Sequence, residues 1–392
     1  AGDRVFTRMI IEVRKAGFQN KGAQLMLLAI VEQLRGMWPD ATLVMVPSAP
    51  GGPAPFADLT RLGFGLKSSL QRRGAEFGDL AGLVPARLRH RYGLYVDREV
   101  DVVLDAAGFA YSDQWGDHPA LELARAARRW RRRGTKVILM PQAFGPFGNP
   151  AIRQAIAGVV DNADLVMPRE SSSFRYLTEI SGERNTIRQY PDFTNLLAGI
   201  VPHGWDTEKH GVAVVPNCRM LDMTDVATSA ASLPFMCRCV SRLQELKTQP
   251  FLLIHEGADD AQLAQRISES TGNTPVVKED DPLKIKGILG ASRAVVASRY
   301  QAPVSPPSQG GPADATGRSH KYTELFTDNG FPEGVMAIID DADRIDSMML
   351  RITETDSAAQ LVSQLLRKSA RLKELSEQMW TEVRTVIDGP RI

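Results

Sequence analysis

The chain has 392 residues, more than one ordinary hydrophobic core contains, so its length predicts two or three domains. Its 43% of apolar and 24% of charged residues are typical of a soluble globular protein, and a net charge of +1 excludes nucleic-acid binding by bulk electrostatics. Three cysteines without a disulfide spacing indicate a reducing cytoplasm. The sequence shows neither a run of about 18 apolar residues nor a signal-peptide pattern, so we expect a cytoplasmic protein with at most peripheral membrane contact.

The first elements predict a βαβ unit. A strand over Met9–Val13, a helix over about Gly22–Arg35 and a strand over Thr42–Val46 follow one another. The loop between the first strand and the helix contains Asn20 and Gly22, and it resembles a turn that cradles phosphate without matching the dinucleotide fingerprint. A tight turn also needs glycine, so Asn20 and Gly22 are candidate ligand-binding residues on weak evidence.

Residues 47–98 show no regular pattern. The segment is rich in proline and glycine near its start and contains basic runs at Gln71–Arg73 and Arg87–Arg91. We interpret it as an insertion with short helices that acts as a lid or faces an acceptor.

A polar and aromatic loop follows the next predicted strand, Asp101–Ala106. It contains Tyr111, Asp113, Gln114 and Trp115. Such a loop suits a sugar, because sugar rings stack on aromatic side chains and their hydroxyls need polar partners.

Two further strands end at candidate ligand-binding side chains. The strand predicted over Lys136–Met140 leads to Gln142, and the strand over Asp164–Met167 leads to Arg169, which could clamp a carboxylate or phosphate or form a salt bridge with a neighbour. The helix over Pro119–Arg133 ends in a run of arginines. We attribute that run to the helix dipole rather than to contact with anionic lipid.

The pattern breaks at Val201–Trp205, which we interpret as a linker between domains 9–200 and 208–350. A second α/β run follows, and Asn217 and Glu256 stand after two of its strands. Its predicted elements are His210–Val215, Val226–Lys247, Phe251–His255, Asp259–Ser270, Pro275–Lys278, Pro282–Leu289 and Ala294–Ala297. A helical tail over Ser357–Ile387, within 355–390, has apolar residues at helix spacing and is expected to pack back across the domains.

Residues 290–326 carry the densest set of polar candidates. The strand Ala294–Ala297 ends in Ser298, Arg299 and Gln301, and a second short strand is expected at Pro312–Thr316. Three basic residues, Arg318, His320 and Lys321, then crowd a helix N-terminus. That end of a helix prefers anions, so we interpret the cluster as a site for an anionic ligand rather than as a solvated basic turn.

Together these elements predict an α/β protein of GT-B-like architecture. Two Rossmann-like domains would face a central cleft, with a long C-terminal helix packed across them. Every loop singled out above follows the carboxyl end of a predicted strand, where such folds bind ligands.

Several of these motifs, taken in order, resemble the polysaccharide pyruvyl transferase family. The similar residues are the loop with Asn20 and Gly22, Pro141-Gln142 with Gly145-Pro146, Arg169-Glu170-Ser171, Ser298-Arg299-Tyr300, and Lys321-Tyr322. The resemblance implies transfer of pyruvate from phosphoenolpyruvate, as co-substrate, to a sugar, glycan or glycoside acceptor as a ketal. It also implies donor binding by Arg169 and Lys321, with Ser298, Arg299 and Arg318 as additions.

The expected chemistry needs a general acid, a base for the sugar hydroxyls and stabilisation of a transient cation. Where the family has a histidine after its Arg-Tyr pair, this chain has Gln301, which cannot protonate carbon near neutral pH. Other acids are available in His320, which we rank first because it adjoins the anion site, and in His255 and Asp113. This chemistry requires no metal and no further cofactor, and the sequence has no metal-ligand spacing.

Two other functions stay open. The first is a GT-B glycosyltransferase that uses a nucleotide sugar, in which Glu256 would hold the ribose. The second is a catalytically impaired sugar- or phosphate-binding homologue, which Gln301 favours. A homo-oligomer is compatible with the sequence.

Overall fold

The computed structural model of the chain describes residues 8–390 except 70, 73–74, 77, 219–220, 222–225, 256, 298–312, 317–334 and 337–341. The chain divides into two compact units. One comprises Ala1–Thr194 and Leu375–Ile392, and the other comprises Asn195–Glu374. The division therefore lies ahead of the linker predicted at residues 201–205.

The first unit is built on a parallel sheet to which seven of the described strands belong, in the order β6-β3-β2-β1-β7-β8-β9. A separate antiparallel pair is formed by β4 and β5. The bounds are β1 Ile10–Arg14, β2 Thr42–Met45, β3 Gly65–Lys67, β4 Gln71–Arg72, β5 Ala75–Glu76, β6 Leu94–Tyr95, β7 Val102–Asp105, β8 Lys136–Gln142 and β9 Leu165–Pro168. Every residue of β7, β8 and β9 is buried, as expected for parallel strands covered on both faces.

Helices cover this sheet. Within the described residues they are α1 Lys21–Met37, α2 Phe56–Arg61, α3 Ala86–Arg91, α4 His118–Arg133, α5 Pro150–Asn162 and α6 Ser171–Ser181. The core between the sheet and α4 and α5 contains Leu123, Trp130 and Ile156, all nearly or fully buried. The helix α4 ends at Gly134, which takes the left-handed conformation (φ 75°) common at helix C-termini.

Residues 47–98 are more than an insertion. They supply β3 and β6, which extend the parallel sheet beyond β2. These strands are only three and two residues long, too short for a hydrophobic alternation to appear in the sequence.

The second unit contains another parallel sheet, whose described strands follow the order β12-β11-β10-β13-β14-β15. These strands are β10 Val212–Val215, β11 Pro250–Ile254, β12 Val276–Lys278, β13 Ala294–Ala297, β14 Ala313–Thr316 and β15 Val335–Met336. The described helices that follow α6 are α7 Val226–Glu245, α8 Gly257–Ser270, α9 Pro282–Ala291, α10 Ala342–Thr353 and α11 Thr355–Asp388. No helix in the described part of the chain is long and apolar enough to cross a membrane.

The last turns of α11 pack within the first unit. Trp380 lies edge-on to Phe193, with ring centroids 6.2 Å apart. The buried ammonium of Lys136, at the start of β8, donates to the carbonyl oxygens of Val386 (2.7 Å) and Ile387 (2.8 Å) and also to that of Gly389. A cation at a helix C-terminus satisfies carbonyls that have no partner within the helix, so Lys136 fixes the end of α11.

Candidate functional site

A cavity of about 570 Å³ lies within the first unit at the carboxyl ends of β1, β2 and β3. Its size is that of a small-molecule site, and this edge of a parallel sheet is where α/β folds bind ligands. One side of α4 covers it, because positions 118, 122 and 129 share a face of that helix. The charged residues that line the cavity are Glu12, Arg14, Lys15, Lys67, Glu122 and Arg129.

The strand β1 brings two opposite charges to this cavity. Successive side chains of a strand point to opposite faces, so Glu12 and Arg14 share one face while the fully buried Ile11 and Val13 share the other. A central strand of a parallel sheet is normally apolar on both faces. Two charged residues in β1 therefore mark this face as a polar site.

Lys67, the last residue of β3, binds two carboxylates. Its ammonium lies 2.6 Å from Glu12 and 2.8 Å from Asp97, and all three side chains are at most 3% exposed. Burial acts to lower the pKa of Lys67, but the charges of Glu12 and Asp97 outweigh that effect and the pKa is raised. Lys67 is therefore held as a cation beneath the cavity.

Asp97 also binds the C-terminal part of α4. It accepts hydrogen bonds from the Trp130 indole (3.0 Å), from Arg129 (2.9 Å) and from Arg133 (3.0 Å). Burial acts to raise the pKa of Asp97, but the charge and hydrogen bond of Lys67, the Trp130 bond and the charge of Arg129 lower it overall. Two of the arginines that end α4 are thus engaged with a buried carboxylate.

A second ion-pair cluster centres on Arg14. Its Nη2 donates to both carboxylate oxygens of Glu122 (2.9 and 2.8 Å), and its Nε lies 3.6 Å from Asp105. The guanidinium also lies 4.9 Å from the ring centre of Trp130, a cation–π distance. Arg14 therefore joins one carboxylate of the cavity wall to one in the core.

The two carboxyl groups on Arg14 have pKa values shifted in opposite directions. Burial raises the pKa of Asp105, and the charges of Arg14 and Lys15 only partly oppose it. Burial also acts to raise the pKa of Glu122, but the charges of Arg14 and Lys15 outweigh it and the pKa is lowered. Glu122 is therefore an ionised hydrogen-bond acceptor at the cavity, whereas the fully buried Asp105 orients Arg14.

The backbone after β1 is strained next to these charges. Lys15 has a positive φ of 65°, which costs a residue with a side chain about 1–2 kcal/mol. Its ammonium lies 3.8 Å from Glu122, and its side chain is 38% exposed at the cavity. Backbone strain of this kind is found preferentially at functional sites.

Gly17, in the same loop, occupies a position that has no room for a side chain. A Cβ at this position would collide with the carbonyl oxygen of Pro53, which accepts the N–H of Phe18 (2.7 Å). Pro53 lines the cavity. The glycine thus permits the close approach of two backbones that form the cavity wall.

The predicted residues of this loop hold the helix. The side chain of Asn20 is the N-cap of α1 and accepts the N–H of Ala23 (2.8 Å), while Gly22 is buried in the first turn. Their neighbour Gln19 lines the cavity. The contacts of Asn20 and Gly22 therefore support a tight helix entry rather than a phosphate cradle.

The predicted residues Tyr111 and Gln142 meet at Asp105. The Tyr111 hydroxyl donates to both oxygens of Asp105 (3.0 and 2.9 Å), and the Gln142 amide donates to the carbonyl oxygen of Asp105 (3.3 Å). Both side chains are fully buried. They support Asp105 from the core instead of facing a ligand, which differs from the sequence-based expectation.

The remaining candidates of that loop, Asp113, Gln114 and Trp115, are all exposed. Asp113 accepts the backbone N–H groups of Gly148 (2.6 Å) and Asn149 (3.0 Å), so its carboxylate ties two loops together. Trp115 is 51% exposed, and Gln114 is also exposed. The role of Asp113 as a general acid stays a prediction.

Arg169 follows β9 and forms salt bridges with neighbouring residues, which is one of the two roles predicted from the sequence. Its guanidinium lies 3.3 Å from Glu170 and 3.3 Å from Asp192, and its backbone N–H donates to the carbonyl of Gln142 (3.0 Å). These contacts fix its orientation at the end of the strand. Its contact with a donor substrate stays a prediction.

In the second unit, two polar side chains follow neighbouring strands. Asn217 follows β10 and His255 follows β11, and both are nearly buried, at 8% and 4% exposure. The other predicted site residues lie outside the described part of the chain. These are Ser298, Arg299, Gln301, Arg318, His320, Lys321 and Glu256.

The charged cavity was not among the sites predicted from the sequence. The signal for Glu12 and Arg14 was present, because an otherwise apolar strand in β1 carries charges at alternate positions. Lys67 gave no such signal, since its partners Glu12 and Asp97 are 55 and 30 residues away in the chain.

Comparison with known families gives one match over most of the chain. A family profile described as "Polysaccharide pyruvyl transferase" matches residues 20–300. That range includes the charged residues of β3 and α4 but begins after β1. No curated protein sequence matches the chain.

Solved structures resemble the chain over nearly its whole length. HepE from Anabaena in complex with UDP and glucose has a TM-score of 0.57 and 12% identity, covering 96% of this chain and 100% of its own. A putative UDP-N-acetylglucosamine 2-epimerase from Listeria monocytogenes has a TM-score of 0.63 and 10% identity, covering 98% of each chain. The 2-epimerase from Neisseria meningitidis bound to UDP-GlcNAc has a TM-score of 0.63 and 8% identity, covering 97% of this chain and 100% of its own. These similarities show a GT-B-type fold.

The Asp97→Asn variant tests the buried network. Because folding lowers the pKa of Asp97, its ionised form contributes stability above its ordinary pKa of 3.8, and the contribution is lost as the pH falls through the lower folded value. We expect the variant to lose about 3–5 kcal/mol of unfolding free energy near pH 7. The difference from wild type should shrink below about pH 4. Urea unfolding followed by circular dichroism between about pH 7 and about pH 3 measures both effects.

The matched control is Asp161→Asn, which removes a carboxylate whose side chain is 54% exposed and pairs with Arg184. That variant should differ little from wild type at any pH. An Asp97→Asn difference that stays constant down to about pH 3 would contradict a lowered pKa.

Proposed function

The chain belongs to the polysaccharide pyruvyl transferase family, and on that premise we propose that it transfers pyruvate from phosphoenolpyruvate to a sugar or glycan acceptor as a ketal. The observation that supports this proposal best is the charged cavity at the carboxyl edge of the first sheet. It provides a site with the size and polarity of a sugar site within the family's fold.

The cavity suits the sugar acceptor better than the donor. A sugar presents hydroxyl groups that both donate and accept hydrogen bonds, and the cavity wall offers the carboxylate of Glu122 beside the ammonium of Lys15. The donor carries a phosphate and a carboxylate, and the resemblance to the family assigns it to other residues, Arg169 and Lys321. We therefore assign the acceptor to the cavity and give Glu122 the role of hydrogen-bond acceptor for a sugar hydroxyl.

The donor is assigned to the basic residues that the sequence singled out. Glu170 and Asp192 hold Arg169 in one orientation at the end of β9. A residue that positions an anionic substrate must be held in this way. Arg299, Arg318 and Lys321, with Ser298, complete the proposed donor set through their resemblance to the family's motifs.

The proposed transfer forms a pyruvate ketal and releases inorganic phosphate. Carbon 2 of the enolpyruvyl group forms two bonds to sugar hydroxyl oxygens, its bond to the phosphate oxygen breaks, and inorganic phosphate leaves. One hydroxyl proton, or its equivalent from a general acid, is delivered to the methylene carbon, and the other is taken up by the departing phosphate. We assign the acid to His320, because Gln301 cannot supply the proton. Asp113 and His255 are the other acids named from the sequence.

A second candidate function is transfer from a nucleotide sugar. Structures of the same fold were solved with UDP, UDP and glucose, or UDP-GlcNAc. The similarity of these structures to the chain supports a common fold, and that fold is compatible with transfer from a nucleotide sugar. Such an enzyme would bind a nucleoside diphosphate and ignore phosphoenolpyruvate.

Thermal unfolding in the presence of phosphoenolpyruvate, UDP or GDP separates these functions. A ligand at about one hundred times its dissociation constant stabilises the folded state by about 2.7 kcal/mol, which corresponds to a shift of roughly 3–6 °C in Tm. We expect such a shift with phosphoenolpyruvate and none with the nucleotides. A shift with UDP and none with phosphoenolpyruvate would overturn the proposal in favour of the second candidate.

Lys15→Gly tests whether the strained lysine serves the substrate. Glycine accepts a positive φ, so the folded state should be unchanged or more stable by up to about 1 kcal/mol. Removal of the ammonium should raise the KM for the acceptor about tenfold or more, as measured by phosphate release from phosphoenolpyruvate with a mixture of sugar acceptors. Lys247→Gly is the matched control, since Lys247 also has a positive φ, of 53°, and lies in the second unit.

The control should keep full activity. Equal activity of Lys15→Gly, Lys247→Gly and wild type would contradict a role for Lys15 in substrate binding. Unfolding curves of both variants show whether any loss of activity arises from loss of structure.

A further inference from the structure

The surface between residues 80 and 92 leaves an unusual number of large apolar side chains in solvent. Single exposed apolar residues are normal in proteins, but a group of them indicates a binding surface. The exposed residues of this group, which we call the 80–92 patch, are Leu80 (58%), Leu83 (85%), Val84 (42%), Leu88 (48%) and Tyr92 (75%).

The charges of the same segment have one sign. From Leu80 to Val96 the sequence contains no aspartate or glutamate. Arg87, His90 and Arg91 are exposed among the apolar side chains. The partner of this surface must therefore be apolar in part and anionic in part.

The patch has a firm base. The buried Arg89 forms two hydrogen bonds of 2.7 Å with Glu99 and also donates to the carbonyl of Val84 (3.0 Å). Arg98 donates to the carbonyl of Gly82 (2.9 Å). The leucines are thus presented by a segment that is tied to the residues before β7, so their exposure is part of the fold.

We propose that the 80–92 patch docks on the surface of a lipid bilayer that contains anionic lipid. The leucines would enter the boundary between headgroups and acyl chains, Tyr92 would lie at the interface, and Arg87 and Arg91 would bind lipid phosphates. A second copy of the chain fits less well. A twofold contact would bring the arginines of both patches together without any carboxylate between them.

The patch begins next to the cavity. A Cβ on Gly78 would collide with the carbonyl oxygen of Ser68 and lie 3.1 Å from the Cα of Ser69, and Ser69 lines the cavity. Docking would therefore place the cavity near the membrane surface. If the proposed function holds, an acceptor sugar carried on a membrane lipid would be within reach, and this extension alone rests on that function.

Sedimentation of the full chain with lipid vesicles, without substrates, tests the docking. We expect binding to vesicles of phosphatidylcholine mixed with phosphatidylglycerol and little binding to phosphatidylcholine alone. Leu83→Glu should weaken binding about tenfold or more, since one leucine no longer enters the bilayer. Removal of each charge by Arg87→Gln or Arg91→Gln should weaken it about fivefold.

Two controls match these variants. Val226→Glu changes an apolar side chain that is 87% exposed in the second unit, and Arg153→Gln removes an exposed arginine on α5. Both should bind vesicles as wild type does. The docking is overturned if wild type binds neither vesicle, if the controls weaken binding as much as the patch variants, or if light scattering shows a dimer that Leu83→Glu dissociates.

The test is independent of the proposed function. Vesicle binding without phosphoenolpyruvate turnover would keep the docking and overturn the function. Turnover of a water-soluble acceptor without vesicle binding would do the opposite.

Discussion

The first unit depends on one buried carboxylate. Asp97 accepts hydrogen bonds from Lys67 on β3 and from Trp130, Arg129 and Arg133 on α4. Removing these charges from water is costly, and replacement of a buried ion pair by apolar residues is often neutral or stabilising. What the network provides is position, because it sets β3, α4 and the Trp130 ring around one cavity.

A second arrangement gives the site its chemistry. Arg14 is shared by Glu122, which faces the cavity as a carboxylate, and by Asp105, which is buried and supported by Tyr111 and Gln142. The buried Asp105 thereby orients Arg14, and Arg14 in turn orients Glu122 as a hydrogen-bond acceptor. A preorganised pair of this kind can orient a hydroxyl group without any rearrangement when the substrate binds. The strained Lys15 adds a donor at the same wall.

Much of the fold could be predicted from the sequence, but only part of the site, the charged residues of β1, left a signal there. Strand β13 has the predicted bounds, Ala294–Ala297, because a short apolar run between turns is a strong local signal. Strands β3 and β6 were not predicted, because a strand of two or three residues shows no periodicity in the sequence. The burial of Tyr111 was not predicted, because a loop composition that suits a sugar also suits a hydrogen bond to a core carboxylate, here Asp105. The pairing of Asp97 with Lys67 was not predicted, because it is a long-range contact that no local sequence pattern indicates.

We assign the acceptor, and not the donor, to the charged cavity. The most direct measurement is the kinetics of Glu122→Gln, with phosphoenolpyruvate affinity measured separately by calorimetry. We expect the KM for the acceptor to rise about tenfold or more and the dissociation constant for phosphoenolpyruvate to stay unchanged, because Arg14 keeps Asp105 as its partner. A weakened affinity for phosphoenolpyruvate together with an unchanged acceptor KM would contradict it.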